Sequence, residues 1–118
     1  MKLLVSMIFP LLMQASNIAY GEGRDLYFQK GCGNCHGTQA EGSSYYPKLA
    51  NRAKSYITRK LTAFREGKSS TQKQEIMFTF AASLKDKEID NLSTYLSDFQ
   101  ADTSDKYKIS DDILGSMD

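Results

Sequence analysis

The sequence predicts a small all-α domain of about four helices. Three observations carry that expectation. Apolar residues recur three and four apart over 53–66 and 86–99, the period of one helix face. No segment alternates apolar and polar residues as a half-buried strand does. Gly31 and Gly67 stand where two of the helical stretches should stop.

The first 21 residues read as a secretory leader. Lys2 opens it, Leu3 to Met13 is an apolar run broken only by Ser6 and Pro10, and a polar, small-residue exit runs from Gln14 to Gly21. Cleavage after Ala19 or Gly21 suits that exit. The apolar run falls well short of the roughly 20 residues that cross a bilayer, so no membrane span is expected after cleavage. The remaining chain divides into a domain over 22–99 and an acidic tail over 100–118.

Within the domain, 23–30 reads as a short first helix, with Leu26, Tyr27 and Phe28 on its apolar side. Residues 37–51 lack periodicity and carry Gly42, Ser43, Ser44 and Pro47, so a loop is expected. The stretch 53–66 is a helix with Tyr56, Ile57, Leu61 and Phe64 inward. A short helix over 74–83 holds Met77, Phe78, Phe80 and Ala81. The last helix, 86–99, turns Ile89, Leu92, Leu96 and Phe99 inward with Tyr95 beside them, while Asp86 and Glu88 suit its positive end. Beyond Phe99 the apolar content drops, and Ile109, Ile113 and Leu114 could form at most a short docking turn.

The chemistry gathers at Cys32-Gly33-Asn34-Cys35-His36. A C-x-x-C pair followed directly by His is the attachment signature of a c-type haem. Two thiols within one turn can each add across a haem vinyl group, and the adjoining imidazole can then ligate iron. A thiol–disulfide site also uses C-x-x-C but expects a strand-to-helix setting. Four-ligand zinc and four-Cys iron–sulfur sites exceed the supply, since the chain holds two Cys and one His. One such motif implies one covalently attached haem c. With no second His, the sixth iron ligand is sought among Met1, Met7, Met13, Met77 and Met117. Met77 alone lies in an apolar stretch after the motif, where it serves as distal ligand or as an ordinary core Met.

At this point the chain resembles the class I c-type cytochromes, and among them the branch whose two-haem members are tandem copies of this unit. The likeness rests on GRDLYFQKGCGNCHG at 23–37, YPKLANR at 46–52, Tyr56 with KLTAFREGKSS at 60–70, and MFTFAASLKDKEIDNLSTYL at 77–96. The resemblance implies the small class I cytochrome c fold around the haem. It implies thioethers at Cys32 and Cys35, His36 as proximal iron ligand and Met77 as distal one. It places the Pro47 carbonyl on the second imidazole nitrogen of His36. It also implies that the first and last helices cross, through Phe28 or Tyr27 against Leu92, Tyr95 and Leu96. Two departures stand out. Asn51-Arg52 replace the Gly-Gln common after YPKLA, leaving Arg52 as a propionate partner or a solvated charge. Lys85 replaces a capping Ser, which passes the cap to Asp86.

Iron with all six positions filled, four by the porphyrin and two by protein side chains, has no vacant position for substrate, which points to one-electron transfer rather than catalysis. Three functional classes follow: a diffusible periplasmic carrier exchanging electrons with redox protein partners; a haem-bearing subunit of a larger dehydrogenase or oxidase; and a haem sensor or peroxidase-like protein with an open distal site. The net charge of +1 argues against nucleic-acid binding. Lys48, Arg52, Lys54, Arg59, Lys60, Arg65 and Lys68 form a basic run, read as a solvated helix face or as a docking surface for an acidic partner.

Overall fold

The computed structural model of the chain describes residues 17–101. The expectations for the leader's apolar run and for the tail from 102 onward fall outside them. Every regular element among the described residues is a helix, and the expected loop follows His36 without one up to Ala53. α1 covers 17–29, α2 Cys32–His36, α3 Lys54–Arg65, a 3-10 turn Gln72–Ile76, α4 Met77–Ala81 and α5 Asp86–Ser97.

α5 is the centre of the fold. The apolar stripe read from the sequence is buried, with Ile89, Leu92, Tyr95 and Leu96 each at 3% exposure or less. Asn91, Ser93 and Thr94, between those positions, are buried as well. α5 is therefore covered on more than one side, which a single stripe cannot announce. Each buried polar group has a partner. Asn91 Nδ2 donates to Glu22 Oε2 at 2.8 Å, Thr58 Oγ1 donates to Ser93 Oγ at 2.9 Å, and Thr94 Oγ1 donates to its own helix at Asp90 O.

α1 lies across α5 at Gly23. A Cβ there would overlap the Asn91 carbonyl oxygen, coming within 2.7 Å of its carbon and 2.8 Å of Tyr95 Cβ. Only glycine lets the two backbones approach this closely. Of the two aromatic candidates for the crossing, Tyr27 makes it: its ring centroid is 5.6 Å from that of Tyr95, and its side chain is fully buried. Phe28 is 46% exposed and packs edge-on to Tyr27 instead. α1 also begins no later than residue 17, whereas 23 was expected. Tyr20 stands edge-on to Tyr95 at 5.1 Å, and its hydroxyl accepts from Gln100 N.

α3 packs on α5, where Thr58 meets Ser93, and on α4, where the Phe64 and Phe78 ring centres lie 6.3 Å apart; its Ile57 and Phe64 are buried. The expected 74–83 helix is in fact two pieces, a 3-10 turn followed by one α turn, so the chain changes pitch just before Met77. The cap of α5 also differs from expectation. Lys85 N–H donates to Glu88 Oε1 at 2.9 Å, as in the second half of a capping box. Asp86 instead pairs with Arg65 at 2.7 Å, and Arg65 also donates to Leu84 O.

Candidate functional site

α2 is a single helical turn that starts after Gly31 and ends at Gly37. Its last residue, His36, is 7% exposed, and the chain beyond it folds back over the imidazole. The loop closes on itself by backbone bonds: Gly42 N to His36 O, Ser43 N to Tyr46 O, and Leu49 N and Ala50 N to Ala40 O. Gly42 sits at φ +69, and a Cβ there would lie 2.5 Å from Lys48 N and 2.6 Å from Tyr46 O. Glycine is what lets residues 46–48 return so tightly.

The return brings the Pro47 carbonyl to 2.9 Å from His36 Nδ1. A carbonyl only accepts, so Nδ1 carries the proton and Nε2 keeps its lone pair for a metal. The Tyr46 ring stands edge-on to the imidazole at 6.2 Å. From the other side, the buried Tyr27 hydroxyl donates to Gly37 O at 2.5 Å, anchoring the turn after His36 to the α1–α5 crossing. Burial pushes the Tyr27 phenol well above its ordinary range, and burial likewise raises the Cys32 thiol.

A cavity of about 310 Å³ opens beside α2. Cys32, Cys35, His36, Pro47, Arg52 and Met77, all six positions singled out in the sequence, line it together. Its floor comes from Leu49, Ile57, Leu61, Phe64 and Leu96. A flat apolar group with two points of thiol attachment and a nitrogen or sulfur donor to its metal suits this wall. Two thiols for the vinyl groups and an imidazole with a fixed tautomer for iron are what c-type haem attachment requires. Arg52 donates its Nε–H to Lys48 O at 2.9 Å and holds its guanidinium 5.1 Å from the Tyr56 ring centre.

The structure also explains the Asn51 departure. Asn51 adopts φ +62, the left-handed region where glycine is at ease and Asn is the next best tolerated. Its backbone N–H donates to Leu96 O at 2.7 Å and its side chain to Phe99 O at 2.8 Å, so it also closes the end of α5. The basic run divides. Lys54 pairs with Asp90, Arg65 with Asp86, and Lys68 with Glu66. Lys48, Arg52 and Lys60 instead line the cavity, with Lys73, which sequence reasoning passed over. Lys73 carries no periodicity signal and reaches the site only through the 3-10 turn.

An all-helical domain with a CXXCH turn bordering an apolar cavity defines a c-type haem protein. The comparisons with known proteins make the class specific: the family model for cytochrome c matches residues 20–100, and the chain belongs to that family. It is 39% identical over 83 residues to cytochrome c-554(547) of Halothiobacillus neapolitanus, covering 64% of this chain and 90% of the relative. It is 32% identical over 90 residues to cytochrome c4 of Azotobacter vinelandii, covering 74% of this chain but 43% of that longer protein. Cytochrome c-554(548) of Halomonas halodenitrificans is 30% identical over 67 residues, 56% of this chain and 81% of the relative. The family binds covalently attached haem c, and Cys32, Cys35 and His36 fit its attachment motif. The chain is therefore an electron-transfer haem protein, not an enzyme. No helix among the described residues is long and apolar enough to cross a membrane.

Proposed function

We propose that the chain is a periplasmic one-electron carrier with a single haem c, held through Cys32 and Cys35 and ligated axially by His36 and Met77. The observation that carries this reading is that all four side chains line one cavity. The group supplies, when bound, the one-electron couple. The protein's own residues fix its surroundings. Pro47 O holds the Nδ1 proton of His36, which orients the imidazole and raises its basicity. A thioether donor and an apolar wall favour the reduced state over the oxidised one. Arg52, which lines the same cavity, suits a propionate. Export follows from the leader over 1–21, with 22–99 as the haem domain and 100–118 as a tail; partners are redox proteins, donor and acceptor.

The test is spectroscopic. Ferric holoprotein should show the weak long-wavelength band of thioether-bound haem, and the ferrous form should ignore carbon monoxide. Met77→Ala should lose the band and bind carbon monoxide. If unmodified ferrous protein binds carbon monoxide at once, the distal assignment is wrong. Intact mass of the matured holoprotein reports loss of the leader and the number of haems together.

A further inference from the structure

The charges of the chain are divided between domain and tail. Over 22–101 Lys and Arg outnumber Asp and Glu by twelve to nine, whereas 102–118 carries five Asp against two Lys. Part of the domain's surplus gathers at the cavity. Lys48, Arg52, Lys60 and Lys73 line it, with neither Asp nor Glu beside them, and all but Lys60 are exposed. The ion pairs among the described residues engage Lys54, Arg65 and Lys68 and none of these four. Tyr45 and Ile76 border the same cavity and are 73% and 59% exposed. The chain leaves the fold close by. Phe99 O accepts from Asn51 Nδ2 at 2.8 Å, and Gln100 N donates to the Tyr20 hydroxyl at 3.2 Å. Arg52 follows Asn51 directly, so the exit is pinned to the neighbour of a cation that lines the cavity.

We propose that the acidic tail over 102–118 folds back across the opening of the cavity as an intramolecular cover, its carboxylates against Lys48, Lys60 and Lys73. A redox partner then meets the tail first and must displace it, a consequence that rests on the electron-carrier reading. The reach suffices. The stretch from Asp102 to Asp111 extends to roughly 33 Å, far more than the breadth of a cavity of about 310 Å³. Asp102 and Asp105 come first and Asp111 and Asp112 later, while Ile109, Ile113 and Leu114 supply apolar side chains for Tyr45 and Ile76. Single exposed ion pairs are weak. A tether of this length, however, holds the carboxylates at an effective concentration on the order of millimolar. The cover therefore closes at low salt and opens as salt screens it. A second copy of the chain brings like charge to like, unless the two tails exchange.

Zero-length coupling of the full-chain holoprotein with a carbodiimide, read by peptide mass spectrometry, tests the placement. Lys54 and Asp90, 2.9 Å apart, serve as the internal standard. At about 0.01 M salt, amide bonds should join tail Asp residues to Lys48, Lys60 or Lys73, and at about 0.5 M they should be lost. Tail carboxylates that couple only to Lys30, Lys85 or Lys87, or to nothing while Lys54–Asp90 couples, would overturn the proposal. So would hybrid peptides from a mixture of nitrogen-15-labelled and unlabelled protein, which assign the tail to a second copy. The covering itself is read from oxidation of the reduced holoprotein by ferricyanide, an anion. Asp111→Asn with Asp112→Asn should raise the rate on the order of fivefold at about 0.01 M salt and match wild type at about 0.5 M. Asp25→Lys, exposed on α1 and outside the cavity lining, makes the same change in total charge and should stay near wild type. Equal rates in the two variants would sink the cover. The coupling is read without any electron transfer, so carbon monoxide binding at an open distal site leaves it unchanged and the two readings fail separately.

Discussion

Replacing Gly23 by Ala adds one methyl group at the closest approach in the fold. The added Cβ meets the Asn91 carbonyl and Tyr95 Cβ, both part of the helix backbone or its first side-chain atom. Neither can swing aside, so α1 must move off α5. Overpacking of this kind costs about 1–3 kcal/mol, and the upper end applies where no side chain can yield. Moving α1 also stretches the Glu22–Asn91 hydrogen bond, worth roughly 1 kcal/mol or more because one partner is charged. Against this, Ala gains about 1 kcal/mol over Gly in a helix. The net loss is about 3 kcal/mol, which in a domain of this size lowers the melting temperature by roughly 12–24 °C. Thermal unfolding of ferric holoprotein, followed by far-UV circular dichroism, measures it. Asp25→Ala, exposed on the same helix, is the control and should change stability by no more than about 0.5 kcal/mol. A Gly23→Ala protein melting within about 3 °C of wild type would refute the close-crossing argument.

Asn51 offers a graded test. Asn51→Gly keeps the left-handed backbone and loses the side-chain bond to Phe99 O, for about 1 kcal/mol; Asn51→Ala loses both, for about 2 kcal/mol. Denaturant midpoints should fall in that order with unchanged slopes, and Ala as stable as Gly would contradict it. Burial raises the ionisation of both Tyr27 and Tyr95 above the ordinary phenol value. Above pH of about 10 the unfolded phenols lose their protons while the folded ones retain theirs, so stability holds below that pH and declines as pH rises beyond it. Tyr27→Phe should flatten part of that decline in urea titrations, although it lowers stability at neutral pH through the lost bond to Gly37 O.

The ends of the site were the most legible in the sequence. CXXCH carries its chemistry in its spacing, and Met77 stood out because the alternatives lay in a leader or a polar tail. The stripe of α5 was equally plain. What periodicity could not show was the second covering of α5, because Asn91, Ser93 and Thr94 are polar and are satisfied only by Glu22, Thr58 and Asp90, the first two far away in the chain. The start of α1 was hidden because Tyr20 belongs to a stretch that reads as leader exit but packs on Tyr95. Asn51 looked like a lapse from the family pattern until its left-handed φ explained why Asn can stand in for Gly. The pairings within the basic run were hidden because charge along a helix says nothing about which carboxylates lie opposite, and Asp86 and Asp90 sit on α5.

The crossing of α1 and α5 has a consequence for the order of folding. Its Glu22–Asn91 hydrogen bond joins residues 69 positions apart, so most of the domain must be threaded before that bond can form. Closing a loop of that length carries an entropic cost that no early contact offsets. During synthesis from the N-terminus, the attachment turn at 32–36 therefore emerges well before the helix that anchors it through Tyr27. For that interval the two thiols and the imidazole are borne on an unlocked chain, and only the arrival of α5 makes their arrangement permanent.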